Sequence, residues 1–321
     1  MSNFAENNVN IRSLMNKVCA FAPATIANVN VGFDVLGLSL ASLGDKVEVS
    51  INNLGYNRIV EIISETLLPL DPERNSCTYV IKKMQEYLKS DITVDVKIKK
   101  GFASGSGLGS SSASSAAAAF AFNALLDSPF TREELLPFAA EGERIACGTA
   151  HYDNIAPALL GGIVLLYDNK PICLPLPESL YAISFFPSIE IKTSSSRSIV
   201  AQQAPLSVIA KQVSAMGAFV AGFYRGDYEL IKRASKDYIV EPSRKILIPY
   251  FDEMREKTLA KGGIAFGISG SGPSVFALSA TQEVAQEIRL ILENFYKESG
   301  IKTISFIENL KDGTGAKLCE Y

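Results

Sequence analysis

Gly101-Phe-Ala-Ser-Gly-Ser-Gly-Leu-Gly-Ser-Ser-Ser112 is the most informative stretch of this sequence. It follows the alternating segment 92–98 (ITVDVKI), which predicts a strand, and it leads into an alanine-rich segment that predicts a helix ending near Leu126. Alternate glycines from 105 to 109 permit positive φ and let the backbone come close to a ligand. Successive N–H groups of such a loop, together with the positive end of the following helix, form a site that suits phosphate.

Two well-known phosphate loops and a flexible linker are the alternatives for this stretch. The Walker loop requires a Lys-Ser/Thr pair after its last glycine, where Ser110 and Ser111 stand, and the GxGxxG spacing of the Rossmann loop is absent. A linker is disfavoured because the segment that follows, 113–126, is too apolar to lie beside a solvated chain. The serines at 110–112 instead add hydroxyl groups that can bind phosphate oxygens or Mg²⁺.

The segment Gly105-Ser-Gly-Leu-Gly-Ser-Ser111 resembles the phosphate-binding motif of the GHMP kinases, a family that includes galactokinase, mevalonate kinase and phosphomevalonate kinase. Two other segments resemble motifs of the same family. Ala22-Pro-Ala-Thr-Ile-Ala-Asn-Val-Asn-Val-Gly-Phe-Asp34 resembles the N-terminal motif, and Gly267-Ile-Ser-Gly-Ser-Gly-Pro273 resembles the C-terminal glycine motif. Three motifs in this order are specific together, and the resemblance runs from about Lys17 to near the end of the chain. One departure is Ala103, where many members carry proline; it removes no ligand group.

The resemblance implies an α+β fold of two domains, the first like the second domain of ribosomal protein S5 and the second ferredoxin-like. The sequence agrees, because most predicted strands alternate polar and apolar residues, as strands do in sheets that are covered on one face. A cluster of prolines between 171 and 177 interrupts the pattern and indicates a boundary. We therefore predict an N-terminal extension at 1–16, an ATP-binding domain at 17–172 and a ferredoxin-like domain at 173–321.

The resemblance also implies the reaction: an ATP-dependent kinase that uses Mg²⁺ and phosphorylates an alcohol group. The N-terminal motif has the form found in the branch of the family that phosphorylates homoserine. This implies transfer of the γ-phosphate of ATP to the side-chain hydroxyl of L-homoserine, giving O-phospho-L-homoserine for threonine biosynthesis. The alternatives are a GHMP kinase acting on mevalonate, galactose or shikimate, and a non-catalytic ATP-binding protein on the same fold. A serine hydrolase is disfavoured because the sequence has no G-x-S-x-G turn.

By the same resemblance, the glycine-serine loop would bind the phosphates of ATP. The expected ATP contacts come from nine consecutive residues: Ser104, Gly105, Ser106, Gly107, Leu108, Gly109, Ser110, Ser111 and Ser112. Ser111 would also bind Mg²⁺ together with Glu143. These oxygen ligands suit Mg²⁺, which completes its octahedral shell with phosphates and waters.

Homoserine is a zwitterion, so a selective site needs a cation, an anion and a polar group for the hydroxyl. The planar fork of arginine can hold a carboxylate with two hydrogen bonds, and Arg197 and Arg244 lie in segments that resemble the homoserine-phosphorylating branch. The resemblance assigns Asp34 to the ammonium and Asn28 to the reacting hydroxyl, with Thr193 close by. The structural alternative for either arginine is a surface salt bridge.

The segment 143–154 contains the sole histidine of the sequence. A lone histidine is most often packed or hydrogen-bonded in a structural role. The resemblance instead places Glu143, His151 and Asn154 in the active site, at matching spacing. Relatives that act on mevalonate or galactose have an aspartate base near the position of Asn154, and an amide cannot take that proton. Catalysis by positioning and charge neutralisation is therefore expected, although Asp153 next door leaves the question of a base open.

Composition and charge disfavour several other classes of function. The 321 residues carry a net charge of −3 without a long basic run, so neither nucleic acid nor a membrane is an expected partner. The five scattered cysteines favour buried thiols in a reducing compartment over a disulfide framework or a zinc site. The most apolar predicted helix, at 113–126, is too short to span a bilayer, and no signal peptide is evident. We expect a cytoplasmic protein, and the sequence leaves open whether it is a monomer or a homodimer.

Overall fold

The computed structural model describes residues 16–189 and 193–321, except for the side chains of 193–195. The strands in this part of the chain are β1 Lys17–Ala27, β2 Leu36–Asn52, β3 Arg58–Ile63, β4 Thr93–Lys99, β5 Ile163–Tyr167, β6 Lys170–Leu174, β7 Tyr181–Pro187, β8 Ala265–Ile268, β9 Val275–Ser279, β10 Thr303–Asn309 and β11 Lys317–Leu318. The α-helices are α1 Ser76–Leu88, α2 Ser110–Leu125, α3 Leu136–Cys147, α4 Tyr152–Leu160, α5 Thr193–Ser198, α6 Leu206–Arg225, α7 Tyr228–Ala234, α8 Glu241–Arg244, α9 Phe251–Ala260 and α10 Gln282–Glu298.

The strands form two separate sheets. The larger sheet has seven strands in the order β11-β1-β2-β4-β3, with β5 paired to β2 and β6 paired to β5. Its strand pairs are antiparallel except for β3 with β4. The smaller sheet, in the order β10-β7-β9-β8, is antiparallel throughout. The arrangement is α+β, which confirms the fold class that the sequence predicts.

A helical layer packs against the larger sheet and places α2 at its centre. Strand residues such as Val47 and Val96 share a buried core with the alanines of α2. Ala116–Ala119 have no exposed surface. Because alanine has no side-chain atom beyond Cβ, α2 can lie close against β1 and β2, with which it makes many contacts. The glycine-serine loop thus runs from the end of β4 into the most deeply buried helix of this layer.

A buried carboxylate joins the two sheets. Glu308 on β10 accepts hydrogen bonds from the backbone N–H groups of Ala41 (2.7 Å), Ser42 (2.8 Å) and Leu43 (2.8 Å) in β2. Hydrogen bonds to a charged group contribute about 1.5–3 kcal/mol each. They join β10 of the smaller sheet to β2 of the larger sheet.

Prolines lie inside several regular elements, although proline by itself usually indicates a break. Strand β1 continues through Pro23, because a β-bulge between Pro23 and Thr25 takes up a residue without an N–H donor. The sequence does not predict β6, since Pro171 indicates a break, but β6 is an edge strand and edge strands tolerate proline. Helix α4 is not predicted either; it contains Pro157 and is nine residues long.

The predicted domain boundary between 172 and 173 falls within β6, which pairs with β5 in the larger sheet. The chain enters the smaller sheet only after this strand, at β7, which starts at Tyr181. Near the end of the chain, β11 pairs with β1 and so belongs to the larger sheet again. The division into 17–172 and 173–321 stays a prediction. The predicted extension, 1–16, lies outside the described residues except for residue 16.

The exposed parts of the structure correct one expectation and add one observation. Cys147 and Cys173 are exposed, so the expectation of buried thiols is wrong for these two cysteines. Among the described residues, α6 rather than the segment 113–126 is the helix that could cross a membrane by length and composition. Only Phe219, Gly222 and Phe223 of its twenty residues are buried.

Candidate active site

Three motifs that are far apart in the sequence meet around a cavity of about 500 Å³. Thr25 of the N-terminal motif donates its backbone N–H to Leu108 O in the glycine-serine loop, at 2.9 Å. Ser269 of the C-terminal glycine motif donates its hydroxyl to Gly107 O, at 2.7 Å. A cavity of this volume is within the usual range for small-molecule sites.

Close packing around the loop explains two of its glycines. At Gly107 (φ +81°), a Cβ would lie 2.7 Å from a carbonyl oxygen of the C-terminal glycine motif. At Gly109 (φ +69°), a Cβ would lie 2.2 Å from Thr25 Oγ1 and 2.7 Å from Asn154 Oδ1. At Gly105 (φ +78°) a Cβ would meet no atom within 4 Å, so only the positive φ favours glycine there. The loop backbone is therefore held against the other two motifs.

The N-terminus of α2 offers donors that the helix itself does not use. Ala113 is bonded in the first turn, through its N–H to Gly109 O at 2.9 Å. The N–H groups of Ser110, Ser111 and Ser112 come earlier and have no carbonyl within the helix to accept them. Ser110 Oγ is buried and, in the described part of the chain, has no hydrogen-bond partner. Free donors at a helix N-terminus attract anions, which supports the predicted phosphate site.

Most of the nine predicted ATP-binding residues line the cavity. Those that do are Ser104, Gly105, Gly107, Gly109, Ser110 and Ser111. Ser106, Leu108 and Ser112 are buried in the structure around it. Ser106 O accepts a hydrogen bond from a serine hydroxyl of the C-terminal glycine region, at 2.6 Å. The ATP contacts of all nine stay predictions.

A buried ion pair beneath the loop holds it to the larger sheet. Lys100 Nζ pairs with the carboxylate of Asp45 and also donates to Ser110 O (2.8 Å) and to Ser114 Oγ (2.8 Å). Asp45 in turn accepts the N–H of Gly101 at 3.0 Å. The side chain of Lys100 is 4% exposed and that of Asp45 is 0% exposed. The pair therefore joins the end of β4, the loop and the first turn of α2 in one rigid unit.

Replacing Lys100 by methionine should lower the free energy of unfolding and raise KM for ATP. The Asp45 carboxylate would remain buried without its cation, which typically costs about 3–5 kcal/mol. The double variant Lys100→Met/Asp45→Asn removes both charges and should recover much of the stability in urea unfolding. Its KM for ATP should stay raised, because Ser110 O has lost the Nζ–H donor of Lys100 and the first turn of α2 is less well fixed. A double variant with the parental KM would show that the pair only stabilises the fold.

The two predicted metal ligands both line the cavity. Glu143, in α3, is buried; its Oε1 lies 3.0 Å from His151 Nδ1, and its Oε2 accepts the hydroxyl of Ser112 at 2.9 Å. Ser111 Oγ lies 3.4 Å from Cys147 Sγ. In this structure the carboxylate thus contacts the serine next to the predicted one. A carboxylate has about four lone-pair sites, so Glu143 can still accept a metal ion.

The donor set fits Mg²⁺. Ser111 and Glu143 offer a hydroxyl and a carboxylate, which are the hard oxygen ligands that Mg²⁺ prefers. Within residues 16–189 and 193–321, no group of three or more His, Cys, Asp or Glu residues could hold a metal ion by itself. A site with few protein ligands suits Mg²⁺ in a nucleotide complex, because phosphates and waters supply the other positions.

Two ionisable groups near Glu143 have shifted pKa values. The hydrogen bond to Glu143 raises the pKa of His151, which lies at the start of α4. Burial raises the pKa of Asp153 to about 7, and the negative charge of Asp34 adds to this effect. Both His151 and Asp153 line the cavity. His151 thus orients the carboxylate of Glu143, and its predicted contact with the substrate stays a prediction.

The opposite charges of the predicted substrate site are paired with each other. Arg197 Nη2 donates to both carboxylate oxygens of Asp34, at 3.0 and 3.2 Å. The two side chains are 44% and 41% exposed, so solvent screens the pair and its net stabilisation is small. The guanidinium of Arg197 lies 5.8 Å from the centre of the Phe33 ring, and that of Arg244 lies 5.2 Å from it. A zwitterionic ligand can displace this weak ion pair, because it brings an anionic group for Arg197 and a cationic group for Asp34.

Arg244 is the buried one of the two predicted arginines. Its Nη1 donates to Gly270 O at 2.9 Å and its Nε donates to Ser196 O at 3.3 Å. Among the described residues, no carboxylate forms an ion pair with it, whereas Arg197 pairs with Asp34. Burial lowers the pKa of Arg244, and the nearby charge of Arg197 lowers it further. A buried arginine beside a second arginine suits an anionic ligand such as a carboxylate.

The remaining predicted residues have contacts within the protein. Asn28 (φ +69°) donates its Nδ2 to Gly270 O at 3.0 Å, and its Oδ1 accepts the N–H of Asp34 at 3.0 Å. The Oδ1 of Asn154 accepts a threonine hydroxyl of β1 at 2.7 Å. Both asparagines line the cavity, and their contacts with a substrate stay predictions. Thr193 begins α5, but its side chain lies outside the described residues.

Sequence reasoning did not identify several residues that shape the site. Lys100 and Phe33 lie next to or within the recognised motifs, so a search for charged and aromatic residues beside the motifs finds them. Gln212 gives no such signal. On α6, its Nε2 donates to Val31 O (2.8 Å) and its Oε1 accepts the N–H of Tyr238 (2.8 Å). Helix α6 thereby holds both the loop of the N-terminal motif and the segment that leads to α8.

Comparison with known proteins agrees with this geometry. The family described as "GHMP kinases N terminal domain" matches residues 75–162, and the family described as "GHMP kinases C terminal" matches residues 219–298. The first range contains the glycine-serine loop, and the second contains the C-terminal glycine motif. Together they cover more than half of the chain.

Individual relatives are similar over nearly the whole chain. Homoserine kinase of Chloroherpeton thalassium is 42% identical over 304 residues, which are 90% of this chain and 95% of the relative. Homoserine kinase of Chlorobaculum tepidum is 40% identical over 299 residues, 89% and 92% of the two chains. The crystal structure of homoserine kinase from Cytophaga hutchinsonii superposes with a TM-score of 0.92 at 38% identity and covers 97% of this chain and 100% of that one. A mevalonate kinase from L. major, at 16% identity and a TM-score of 0.71, shares the fold.

Proposed function

This chain belongs to the GHMP kinase family, and we propose that it transfers the γ-phosphate of ATP to the side-chain hydroxyl of L-homoserine. The product is O-phospho-L-homoserine, an intermediate of threonine biosynthesis, and we place the enzyme in the cytoplasm. Its similarity to homoserine kinases over most of the chain supports the substrate. The family supports ATP as phosphate donor.

The main support for the proposal is that side chains of opposite charge line the same cavity as the glycine-serine loop. Arg197, Arg244 and Asp34 all line this cavity. We assign the two arginines to the α-carboxylate of homoserine and Asp34 to its ammonium group. Mevalonate, galactose and shikimate have no ammonium group, so they would leave the carboxylate of Asp34 without a new partner.

We assign the chemical step to positioning and electrostatic stabilisation, which dominate phosphoryl transfer. Ser111 and Glu143 would hold Mg²⁺, which when bound neutralises charge on the transferring phosphoryl group. Asn154 has an amide and cannot accept a proton, so we assign it to positioning, together with Asn28 and Thr193 near the reacting hydroxyl. The free backbone N–H groups at the N-terminus of α2 would bind the phosphates of ATP.

A coupled assay of ADP release with L-homoserine, mevalonate, galactose and shikimate tests the proposal. We expect turnover with L-homoserine to exceed turnover with the other three by orders of magnitude. A higher kcat/KM for another alcohol would assign the chain to a different kinase activity. Binding of ATP without turnover on any of them would identify a non-catalytic ATP-binding protein.

Asp34→Asn should raise KM for homoserine more than tenfold, because a hydrogen bond to a charged group contributes about 1.5–3 kcal/mol. The matched measurement uses 4-hydroxybutyrate, which is homoserine without its amino group. An ammonium ligand does not interact with this analogue, so the weak activity on it should stay unchanged or improve in the variant. Steady-state kinetics with both substrates gives the comparison.

The same two substrates distinguish an ammonium ligand from a catalytic base. A base acts on the hydroxyl, which both molecules have, and its loss should lower kcat for both by about 10²–10⁴-fold. An equal fall in kcat on the two substrates would make Asp34 the base. Asp153, whose pKa burial raises to about 7, is a second carboxylate that lines the same cavity.

A further inference from the structure

The loop that follows β1 has a strained backbone. Asn28, Val29 and Asn30 have positive φ values of 69°, 40° and 63°, and Asp34 has a φ of 60°. A positive φ is rare for a β-branched residue such as valine, because its Cβ then lies too close to the backbone. Such conformations persist only where surrounding contacts hold them. The loop carries Asn28 and Asp34, so the contacts that hold it also place two residues of the proposed substrate site.

The side chain of Asn30 joins this loop to the C-terminal half of the chain. Its Nδ2 donates to Ser235 O at 2.8 Å and to Phe266 O at 3.0 Å, and the residue is buried. Both acceptors are backbone carbonyls, one directly after α7 and one in β8. A side-chain amide has two N–H donors. Asn30 therefore uses both of them to join three segments that are far apart in the sequence.

Ser235 connects this contact to Arg244. Two residues after Ser235, the carboxylate of Asp237 accepts the backbone N–H groups of residues 239, 240 and 241 at 2.9, 3.1 and 2.9 Å. These bonds fold the segment into a tight turn that continues into α8, which ends at Arg244. Asn30 thus links the loop that carries Asp34 to the segment that carries Arg244. In the proposed function, these two side chains bind the opposite charges of one homoserine molecule.

Gly267, the first glycine of the C-terminal glycine motif, leaves room for Asn30. A Cβ at Gly267 would overlap Asn30 Oδ1 and would lie 2.6 Å from Asn30 Cγ. The three atoms nearest to that Cβ all belong to the side chain of Asn30, and no positive φ requires glycine at this position. The space that Asn30 occupies therefore accounts for this glycine, and it makes the C-terminal glycine motif complementary to the N-terminal motif.

We propose that Asn30 is a positioning residue, which holds the loop of Asn28 and Asp34 at a fixed distance from Arg244. Asn30 is not among the described residues that line the cavity of about 500 Å³, so it acts through the residues that do. The inference rests on the proposed function, because this distance matters for a ligand that carries both charges. The glycine-serine loop has its own attachment, the ion pair of Lys100 with Asp45, so binding of ATP should not depend on Asn30.

Asn30→Ala tests this role by steady-state kinetics with L-homoserine and ATP. A misplacement of about 1 Å can cost about a hundredfold, so we expect KM for homoserine to rise by about tenfold to a hundredfold. KM for ATP should stay near the parental value. Asn30→Ser keeps a hydroxyl donor on a shorter side chain, so its KM for homoserine should lie between those of the parent and Asn30→Ala. Parental KM for homoserine in the folded Asn30→Ala variant would overturn the proposal.

Asn123→Ala is the matched control. Asn123, in α2, is also a buried asparagine whose Nδ2 donates to a backbone carbonyl, Phe130 O at 2.9 Å. It is not among the described residues that line the cavity. This variant should lower Tm and leave KM for homoserine unchanged. An equal rise of that KM in both variants would show that loss of stability alone explains the effect of Asn30→Ala, which contradicts a positioning role.

A double-mutant cycle tests the fit between Asn30 and Gly267. Gly267→Ala by itself displaces the side chain of Asn30, so it should lower Tm and raise KM for homoserine. In Asn30→Ala/Gly267→Ala the overlapping atoms are gone. The double variant should therefore have a higher Tm than Gly267→Ala and a KM no higher than that of the more affected single variant. Single effects that multiply in the double variant would show that the two residues act independently, against the proposal.

Hydrogen exchange without substrate separates this inference from the proposed function. Asn30→Ala should increase deuterium uptake in peptides that cover residues 28–35 and 235–244, but not in peptides that cover 101–112. Unchanged uptake in the first two regions would overturn the positioning role even if the parent phosphorylates homoserine. A parent that does not phosphorylate homoserine, but whose Asn30→Ala variant shows the expected uptake, would instead refute the proposed function and retain the link between the two segments.

Discussion

Glu143→Gln should reduce kcat for homoserine phosphorylation by at least about a hundredfold while the protein stays folded. A bound metal ion contributes several kcal/mol to the stabilisation of transition-state charge, and each 1.36 kcal/mol is a tenfold change in rate. Glutamine retains the volume of glutamate and can still accept the hydroxyl of Ser112, but it brings no charge to a metal ion. The measurement is kcat at saturating ATP and homoserine over a range of Mg²⁺ concentrations. The variant should also need more Mg²⁺ for half-maximal rate.

Glu48→Gln is the matched control, because Glu48 is also a buried carboxylate and lies outside the cavity. Its Oε2 pairs with Lys17 Nζ at 2.7 Å. Glu48→Gln should change the free energy of unfolding but not kcat or the Mg²⁺ dependence. If Ser111 shares the metal ion with Glu143, Ser111→Ala should add less than its single effect to Glu143→Gln. A near-parental kcat of folded Glu143→Gln at saturating Mg-ATP would exclude the metal role.

The three motifs predicted the fold class through the family that they resemble, and the structure shows the backbone requirement behind the glycine-serine loop. Gly107 and Gly109 have positive φ and no room for a Cβ, so their spacing in the sequence follows from the shape of the loop. The sequence does not reveal the Lys100–Asp45 pair in the same way. Its partners are 55 residues apart, and each by itself is an ordinary charged residue, Asp45 within β2 and Lys100 directly after β4.

The position of a side chain within the site was harder to predict than its presence there. Ser111 and Ser112 are adjacent in the same run, and the structure places Ser112 on Glu143 because successive residues of a helix point about 100° apart. Gln212 was not predicted, since a polar residue on a largely exposed helix is usually solvated. Its contacts depend on how α6 packs against the N-terminal motif, which is a tertiary property that no local pattern reports.

Arg244→Ala should raise KM for homoserine by about two orders of magnitude and leave KM for ATP nearly unchanged. Truncation of one partner of a buried, hydrogen-bonded charge pair costs about 2–5 kcal/mol, and each 1.4 kcal/mol is a tenfold change in affinity. Arg244 is 5% exposed, and among the described residues no carboxylate pairs with it, so the substrate carboxylate would be its counter-ion. Arg197 is 44% exposed and already paired with Asp34, so Arg197→Ala should have the smaller effect.

Arg132→Ala separates this role from loss of packing, because Arg132 also binds backbone carbonyls but lies outside the cavity. Its Nη1 donates to Thr314 O at 2.7 Å and to Leu159 O at 3.4 Å. Arg132→Ala should lower the free energy of unfolding without changing KM for homoserine. Arg244→Lys keeps the charge but not the planar fork, so its KM should lie between the parent and Arg244→Ala. If folded Arg244→Ala kept the parental KM for homoserine, the guanidinium would only hold Gly270 and Ser196 in place, and the carboxylate would have to bind elsewhere.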